Sequence, residues 1–427
     1  MQPSKRAQLA IFLTVFVDLL GFGIVIPILP IYARAMALHP SPWMEWVNRS
    51  FHFSDPGAFW AQIAMVSFSV AQFFFGPLLG RLSDLSGRRP VLFLSLLGSS
   101  LSYLILATTG RIEWVLASRF FGGAFGANIS VAQAAMADSS APSERSKVLG
   151  MIGAAFGMGF VFGPALGGIL SRTALAVQLN AARHWNLGFL VAAGLSCAAS
   201  IMVILWIPET LRPEARKHAK LVQSRGHALR RAVSRPGMPQ ILGIALLAMT
   251  GFALLESSFS LMLKERFQIG QFEVSLVFVV LGTLIAIYQG GLVRVVVKRL
   301  PERMAQAVGL LLLAVFLPVL PHAAWMAPFL LVLVPLAWGQ GMNNTATSAL
   351  ASQLTPADEQ GGQFGALQAM QSVGRILGPL IGSFAYGRLG FTAPYWIASG
   401  CVALALALAL TMIRQGAGQP QAEADAF

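Results

Sequence analysis

Charge is what this chain has least of. Lys, Arg, Asp and Glu together make up 11% of its 427 residues, against 56% hydrophobic, a balance that excludes a water-soluble domain of this size. There are only two cysteines, Cys197 and Cys401, both inside apolar runs; they exclude a disulfide framework and read as small packing residues. The six histidines sit mostly in loops without ligand spacing, so a metal centre has no support. No nucleophile, base and oxyanion grouping is visible either, which argues against an enzyme. Alternating short strands are missing, which excludes an outer-membrane barrel.

What the chain does have is long apolar runs. Crossing a hydrocarbon core of roughly 30 Å takes about 20 residues of helix, and twelve segments of that kind are legible: 8–32, 58–81, 90–109, 112–137, 146–171, 186–207, 239–263, 272–294, 303–320, 323–346, 361–386 and 393–414. The expected fold is therefore an all-α membrane protein. The first span is too long for a removable signal peptide and lacks a small-residue cleavage site.

A net charge of +13 would suggest nucleic acid in a soluble protein; here its distribution excludes that partner. On one side of the spans lie Lys5, Arg6, Arg81, Arg88, Arg89, Arg145, Lys147, the basic linker, Arg294, Lys298, Arg299, Arg303 and Arg414. The other side has fewer: Arg34, Arg49, Arg111, Arg172, Arg183, Lys264, Arg266 and Arg388. The positive-inside rule places both termini in the cytoplasm.

The chain also reads as written twice. GMGFVFGPALGGIL (157–170) matches QSVGRILGPLIGSF (371–384), pairing Gly163, Pro164 and Gly167 with Gly378, Pro379 and Gly382 at an offset of about 215 residues. APSERSKVLG (141–150) resembles TPADEQGGQFG (355–365), and GAN at 126–128 echoes GMN at 341–343. The expected organisation is a six-helix half at 1–207, a basic linker at 208–238, a second six-helix half at 239–414 and a disordered tail at 415–427. The linker is either an amphipathic helix on the anionic leaflet or a topological charge anchor. Loop 33–57, with Trp43, Trp46, Phe51 and Phe53, is either a lid or an interfacial aromatic anchor.

Three motifs carry chemistry. The loop GRLSDLSGRRP (80–90) combines Gly80 and Gly87, suited to a tight chain reversal, with Asp84, Arg88 and Arg89, suited to an ionic latch. RFFGGAFGAN (119–128) buries Arg119 about 10 Å into the fourth span. In GFVFGPALGG (159–168), Gly159, Gly163, Gly167 and Gly168 allow close helix approach, and Pro164 bends the helix. Together with Asp18, Gly21, Gly23, Pro27 and Pro30 of the first span, these motifs resemble the major facilitator superfamily, in particular the twelve-helix drug:proton antiporters and their tetracycline-exporter branch. The resemblance spans essentially the whole chain and is densest over residues 10–210. It implies a major facilitator fold, a latch role for the 80–90 loop, proton coupling through Arg119 and an antiporter role for the 159–168 motif. Where tetracycline exporters carry a functional His and Asp in helices eight and nine, this chain has Ile285 and Leu313.

Isolated intramembrane charges complete the site. An ionised carboxylate in the bilayer costs a few kcal/mol unless paired or protonated. Helical rise puts Asp18 about 15 Å and Arg119 about 20 Å from the cytoplasmic side, and Glu256 and Arg375 about 25 and 20 Å, so two ion pairs are expected. Asp18, Glu256 or both take up and release protons, or the pairs are static and set helix register. Asn128, Gln133, Gln289, Gln340, Asn343, Asn344, Gln368 and Gln371 either line a cavity for amphipathic molecules or bond helix to helix. The functional expectation is a monomeric, proton-driven exporter of small organic compounds in a bacterial inner membrane. It meets substrate, protons and lipid, and it needs no cofactor beyond the proton gradient. The alternative is a proton-coupled carrier of a sugar or organic anion on the same fold.

Overall fold

A computed structural model describes residues 5–38, 40–126, 128–139, 145–175, 177–178, 186–211, 235–354 and 360–417. Most of the basic linker (212–234), the Ala-Pro-Ser-Glu stretch at 141–144, the matching 355–359 and the end of the tail (418–427) lie outside the described residues. All twelve expected spans are helical. They are α1 (Lys5–Met36), α3 (Pro56–Ser86), α4 (Arg88–Thr108), the pair α5 (Ile112–Phe125) and α6 (Asn128–Asp138), α7 (Arg145–Ser171) and α8 (Leu187–Trp206) in the first half. The second half has α9 (Met238–Phe267), the pair α10 (Gln271–Ile287) and α11 (Val293–Arg299), α12 (Glu302–Val319), α13 (Met326–Gln353), α14 (Gln360–Leu389) and α15 (Ala393–Ala417). A π-helical turn, Tyr288–Leu292, joins α10 to α11. One helix was not expected: α2 (Pro42–Phe51), in the loop between the first two spans. The start of α1 and the end of α3 mark one face, here called the terminal face; α2, between the other ends of α1 and α3, lies on the far face.

The ends of these helices follow local chemistry. Asp55 caps α3 by accepting from the Ala58 N–H at 2.9 Å, with Pro56 at the first helical position. Asn186 caps α8 in the same way through the Phe189 N–H at 3.2 Å. α3 runs on to Ser86, beyond the expected end at 81, and reverses into α4 at Gly87, whose φ of 113° is open to glycine and strained for other residues. Gly80 takes no part in that reversal: it lies inside α3 with open space where a Cβ would stand. α15 likewise continues to Ala417, past the expected boundary at 414.

Packing divides the chain into two compact units, residues 1–223, 257–283 and 379–391 in one and residues 224–256, 284–378 and 392–427 in the other. Within each, small residues bring helices together. In the first unit α7 lies against α1 with Gly163 on the Gly23 backbone and Gly159 on Leu19. In the second, Gly378 of α14 lies on Thr250 and Ala253 of α9, and Gly309 of α12 faces Gly339 of α13. Gly163 and Gly378, matched in the comparison of 157–170 with 371–384, make corresponding contacts: α7 on α1 and α14 on α9.

Candidate functional site

Asp18 sits on α1 where Gly21 brings the helix close to α8, the Ala192 carbonyl lying 3.3 Å from the position a Cβ would take. That approach delivers the Ser196 hydroxyl of α8, which is 3.0 Å from Asp18 Oδ1 and also within 3.1 Å of the Leu96 carbonyl. Arg119 of α5 is 2% exposed. Its guanidinium lies 4.2 Å from the centroid of the Phe68 ring, while Nε and Nη1 have no hydrogen-bond partner among the described residues. A ring face beneath a buried cation offers up to about 2 kcal/mol, far less than full solvation. Tyr103 of α4 is within electrostatic reach of both Asp18 and Arg119. Ser196 and Tyr103 thus link the surroundings of Asp18 to those of Arg119 and Phe68, in a constellation drawn from α1, α3, α4, α5 and α8.

The second expected pair falls within the other unit. Glu256 of α9 and Arg375 of α14 interact electrostatically. Gly374 sets the spacing: its Cβ position is 2.9 Å from the Leu246 carbonyl and 3.0 Å from the Thr250 nitrogen, so α14 rides on the α9 backbone and carries Arg375 with it. Both residues are half-buried.

On the terminal face, the 80–90 loop is built around Arg88. Its guanidinium contacts Asp84 at 2.6 Å, the Ser83 hydroxyl at 2.7 Å and Asp138 at the end of α6 at 3.1 Å. Glu209, beyond α8, accepts from the Arg88 and Arg89 N–H groups at 2.9 and 3.2 Å, so a carboxylate meets the positive end of α4. A Cβ on Gly87 would collide with that carboxylate. The Arg89 side chain reaches the Ile204 carbonyl. Asp138 and Glu209 were missed in the sequence; nothing local marks them.

In the 159–168 motif, Gly159, Gly163 and Gly167 face α1, Pro164 is buried, and Gly168 faces Ser275 and Phe272 of α10. The amide candidates scatter. Gln133, Gln289, Asn344 and Gln368 are exposed and Gln371 is half-buried; the side chain of Asn128 lies outside the described residues. Gln340 is 8% exposed with Oε1 unpartnered. Asn343 is a helix-packing residue: its Oδ1 accepts from Thr347 at 3.3 Å, and Thr347 accepts from Gln306 of α12 at 2.9 Å. Gln62 of α3, not singled out before, is fully buried, donating to the Gly382 carbonyl and accepting from Ser257, both at 3.1 Å. Among the described residues no cluster of His, Cys, Asp and Glu could hold a metal ion.

A further ionic cluster closes on the far face. Arg34, at the end of α1, pairs with Asp55 at 2.5 Å and Glu265 at 3.4 Å, and Glu265 accepts from Tyr386 at 3.0 Å. Beside it a cavity of about 570 Å³ opens. The Gly387 carbonyl of α14 accepts from the Ser54 N–H at 2.6 Å, the Asp55 N–H at 3.1 Å and the Ser54 hydroxyl at 2.7 Å.

Eight of the described helices are long and apolar enough to cross a membrane, and with Arg119 buried among them they define a multi-pass membrane protein. The sequence matches the profile of the Major Facilitator Superfamily in two overlapping stretches, 11–337 and 241–426, and the chain belongs to that family. It is 30% identical over 402 residues to the class E tetracycline resistance protein of Escherichia coli, covering 92% of this chain and 91% of that one. It is 28% identical over 438 residues to the bovine (Bos taurus) major facilitator superfamily domain-containing protein 10, covering 94% and 91%. The crystal structure of the human organic anion transporter MFSD10 (TETRAN) superimposes with a TM-score of 0.71 at 26% identity, over 96% of this chain and 100% of that chain. A bacterial homologue of the human lysosomal transporter Spinster, inward-facing and unoccupied, shares the fold with a TM-score of 0.70 at 14% identity, over 96% and 98%.

Proposed function

We propose that the protein exports small amphipathic organic compounds in exchange for protons, by alternating access. The observation that carries this reading is the α1–α4–α5–α8 constellation. A carboxylate, Asp18, hydrogen-bonded by the Ser196 hydroxyl inside a membrane span, and a buried guanidinium whose Nε and Nη1 have no partner among the described residues, are expensive to keep for packing alone. Such a carboxylate is suited to binding and releasing a proton as its surroundings change. The tetracycline resistance relatives support efflux, and Glu256 with Arg375 supplies a second candidate proton site. The Arg88 cluster is read as the latch and the 159–168 glycines as the antiporter motif. The remaining exposed amides, Gln133, Gln289, Asn344 and Gln368, are read as substrate contacts. In this reading the terminal face is cytoplasmic, the membrane is a bacterial inner membrane and the transporter works as a monomer.

The test uses everted vesicles with an acidified interior and a pH-gradient dye. Amphipathic drugs are added to vesicles holding wild type or Asp18→Asn. Drug-dependent collapse of the gradient with wild type alone is the expected result. Equal collapse with Asp18→Asn, in protein that folds normally, removes Asp18 from the mechanism.

A second reading, a proton-coupled carrier of organic anions, is favoured by the likeness to a structure described as an organic anion transporter. In cells lacking the protein, an exporter's substrate accumulates and an imported one is depleted.

A further inference from the structure

Helix α2 settles what the far-face loop is built to touch. It begins with Pro42 at the first helical position and ends at His52, whose φ of 50° is left-handed. Five residues (37–41) tie it to α1 and four (52–55) to α3. At no more than about 3.6 Å per residue, it stays close to the far ends of two membrane-crossing helices.

Around its axis the helix has three unlike faces. Met44 is fully buried, and Val47 packs against the same core. Asn48 accepts from the Trp60 indole at 3.0 Å, and Phe51 stacks on Phe53. On one flank stand Trp43 and Trp46, 50% and 68% exposed. Three residues apart, they lie about 60° from each other. On the other flank, Glu45 and Arg49 form an i,i+4 ion pair at 3.2 Å. Trp43 also sets its ring edge-on to Trp60, 5.1 Å between centroids, so the Trp flank is held in place.

A lid over a water-filled mouth would turn its indoles inward and its charges outward. Here the inward face is already filled, and two indoles stand outside it. An exposed aromatic flank beside a charged one, both turned away from the filled core face at the end of spanning helices, fits the layer where lipid headgroups meet acyl chains; Trp concentrates there because it has an apolar body and a polar N–H. Trp114, 56% exposed at the start of α5 on the same face, follows the same pattern.

We propose that α2 lies in the interfacial layer of the far leaflet, with Trp43 and Trp46 against phospholipid and Glu45 and Arg49 in water. The proposal concerns the membrane and stands whatever the transported compound is. It is tested on full-length protein in which Cys197 and Cys401 are replaced by Ala, with a nitroxide label at Trp46→Cys or at Arg49→Cys, in phosphatidylcholine–phosphatidylglycerol vesicles. Power saturation compares collisions with oxygen, which enriches in lipid, and with a nickel chelate, which stays in water. The label at 46 should show a several-fold higher oxygen-to-nickel ratio than the label at 49. Equal nickel access at both positions overturns the proposal in favour of a water-facing lid. Shielding of 46 from both relaxers overturns it in favour of a second protein chain covering the flank. A measurement without cysteine replacement guards against misfolding. Lipids brominated near the headgroup should quench wild-type fluorescence more than that of Trp46→Phe; equal quenching of the two also counts against the proposal.

Discussion

Replacing Gly163 by Ala tests whether the α1–α7 contact is limited by backbone approach. A Cβ at 163 would stand 2.6 Å from the Gly23 Cα, 2.7 Å from its carbonyl carbon and 3.0 Å from the Ile24 nitrogen. All three are backbone atoms, so no side chain can swing away. Carbon contacts are comfortable at about 3.5–4.0 Å, so the helices must separate locally by roughly 1 Å. A gap of about that size forfeits a quarter to a half of the dispersion between facing atoms, and overpacking of this kind costs about 1–3 kcal/mol. At roughly 2–4 °C per kcal/mol, the value for domains of 150–250 residues, the apparent Tm should fall by several degrees. Gly157 on the same helix is the control, because a Cβ there meets nothing within 4 Å. Gly157→Ala should be neutral, or gain up to about 1 kcal/mol from helix propensity. Thermal unfolding in detergent, followed by a thiol-independent fluorescence readout, compares the two. Equal Tm values for Gly163→Ala and Gly157→Ala would refute the reasoning.

Other substitutions probe the remaining contacts. Glu209→Ala removes the cap on α4 and should cost about 1 kcal/mol, seen as faster amide exchange at Arg88 and Arg89, whereas no change would mean water replaces the carboxylate. Gln62→Leu removes the two hydrogen bonds to the Ser257 hydroxyl and the Gly382 carbonyl and should cost about 1–3 kcal/mol, at about 0.5–1.5 kcal/mol per bond, read as a lower Tm. Arg119→Lys loses the planar stack on Phe68 and should sharply reduce pH-driven dye collapse while leaving detergent-extracted protein monodisperse; full retention of transport would make Arg119 a packing residue.

Much of this fold was legible because a bilayer imposes one rule on every span: about 20 apolar residues with their backbone bonded internally. The Gly163–Gly378 repeat was legible too, since close helix approach demands the smallest residue on both copies. Tertiary partners were not. Asp138 and Glu209 join the Arg88 cluster only because α6 and the end of α8 reach α4, and neither sits in a telling local pattern. Ser196 and Tyr103 are ordinary residues of apolar helices until α8 and α4 meet α1 and α5. Asn343 and Gln133 looked alike as polar residues in a span, but one is consumed by Thr347 and the other is exposed. α2 escaped notice because ten residues, with a proline at the start, give too short a period to stand out from a loop.

The fastening of α14 at Gly387 differs from the other contacts in what it leaves for evolution to act on. Three donors converge on one main-chain oxygen, and position 387 offers no side chain. Exchanging residues along α14 one at a time would leave this attachment intact and therefore undetected. A change that removes donors from the opposing segment, such as Ser54→Pro, would expose it at once. Family comparisons that score side-chain identity will register the Asp55 cap and ion pair but undervalue the two amide hydrogens of Ser54 and Asp55 that hold Gly387, since nearly every amino acid carries one.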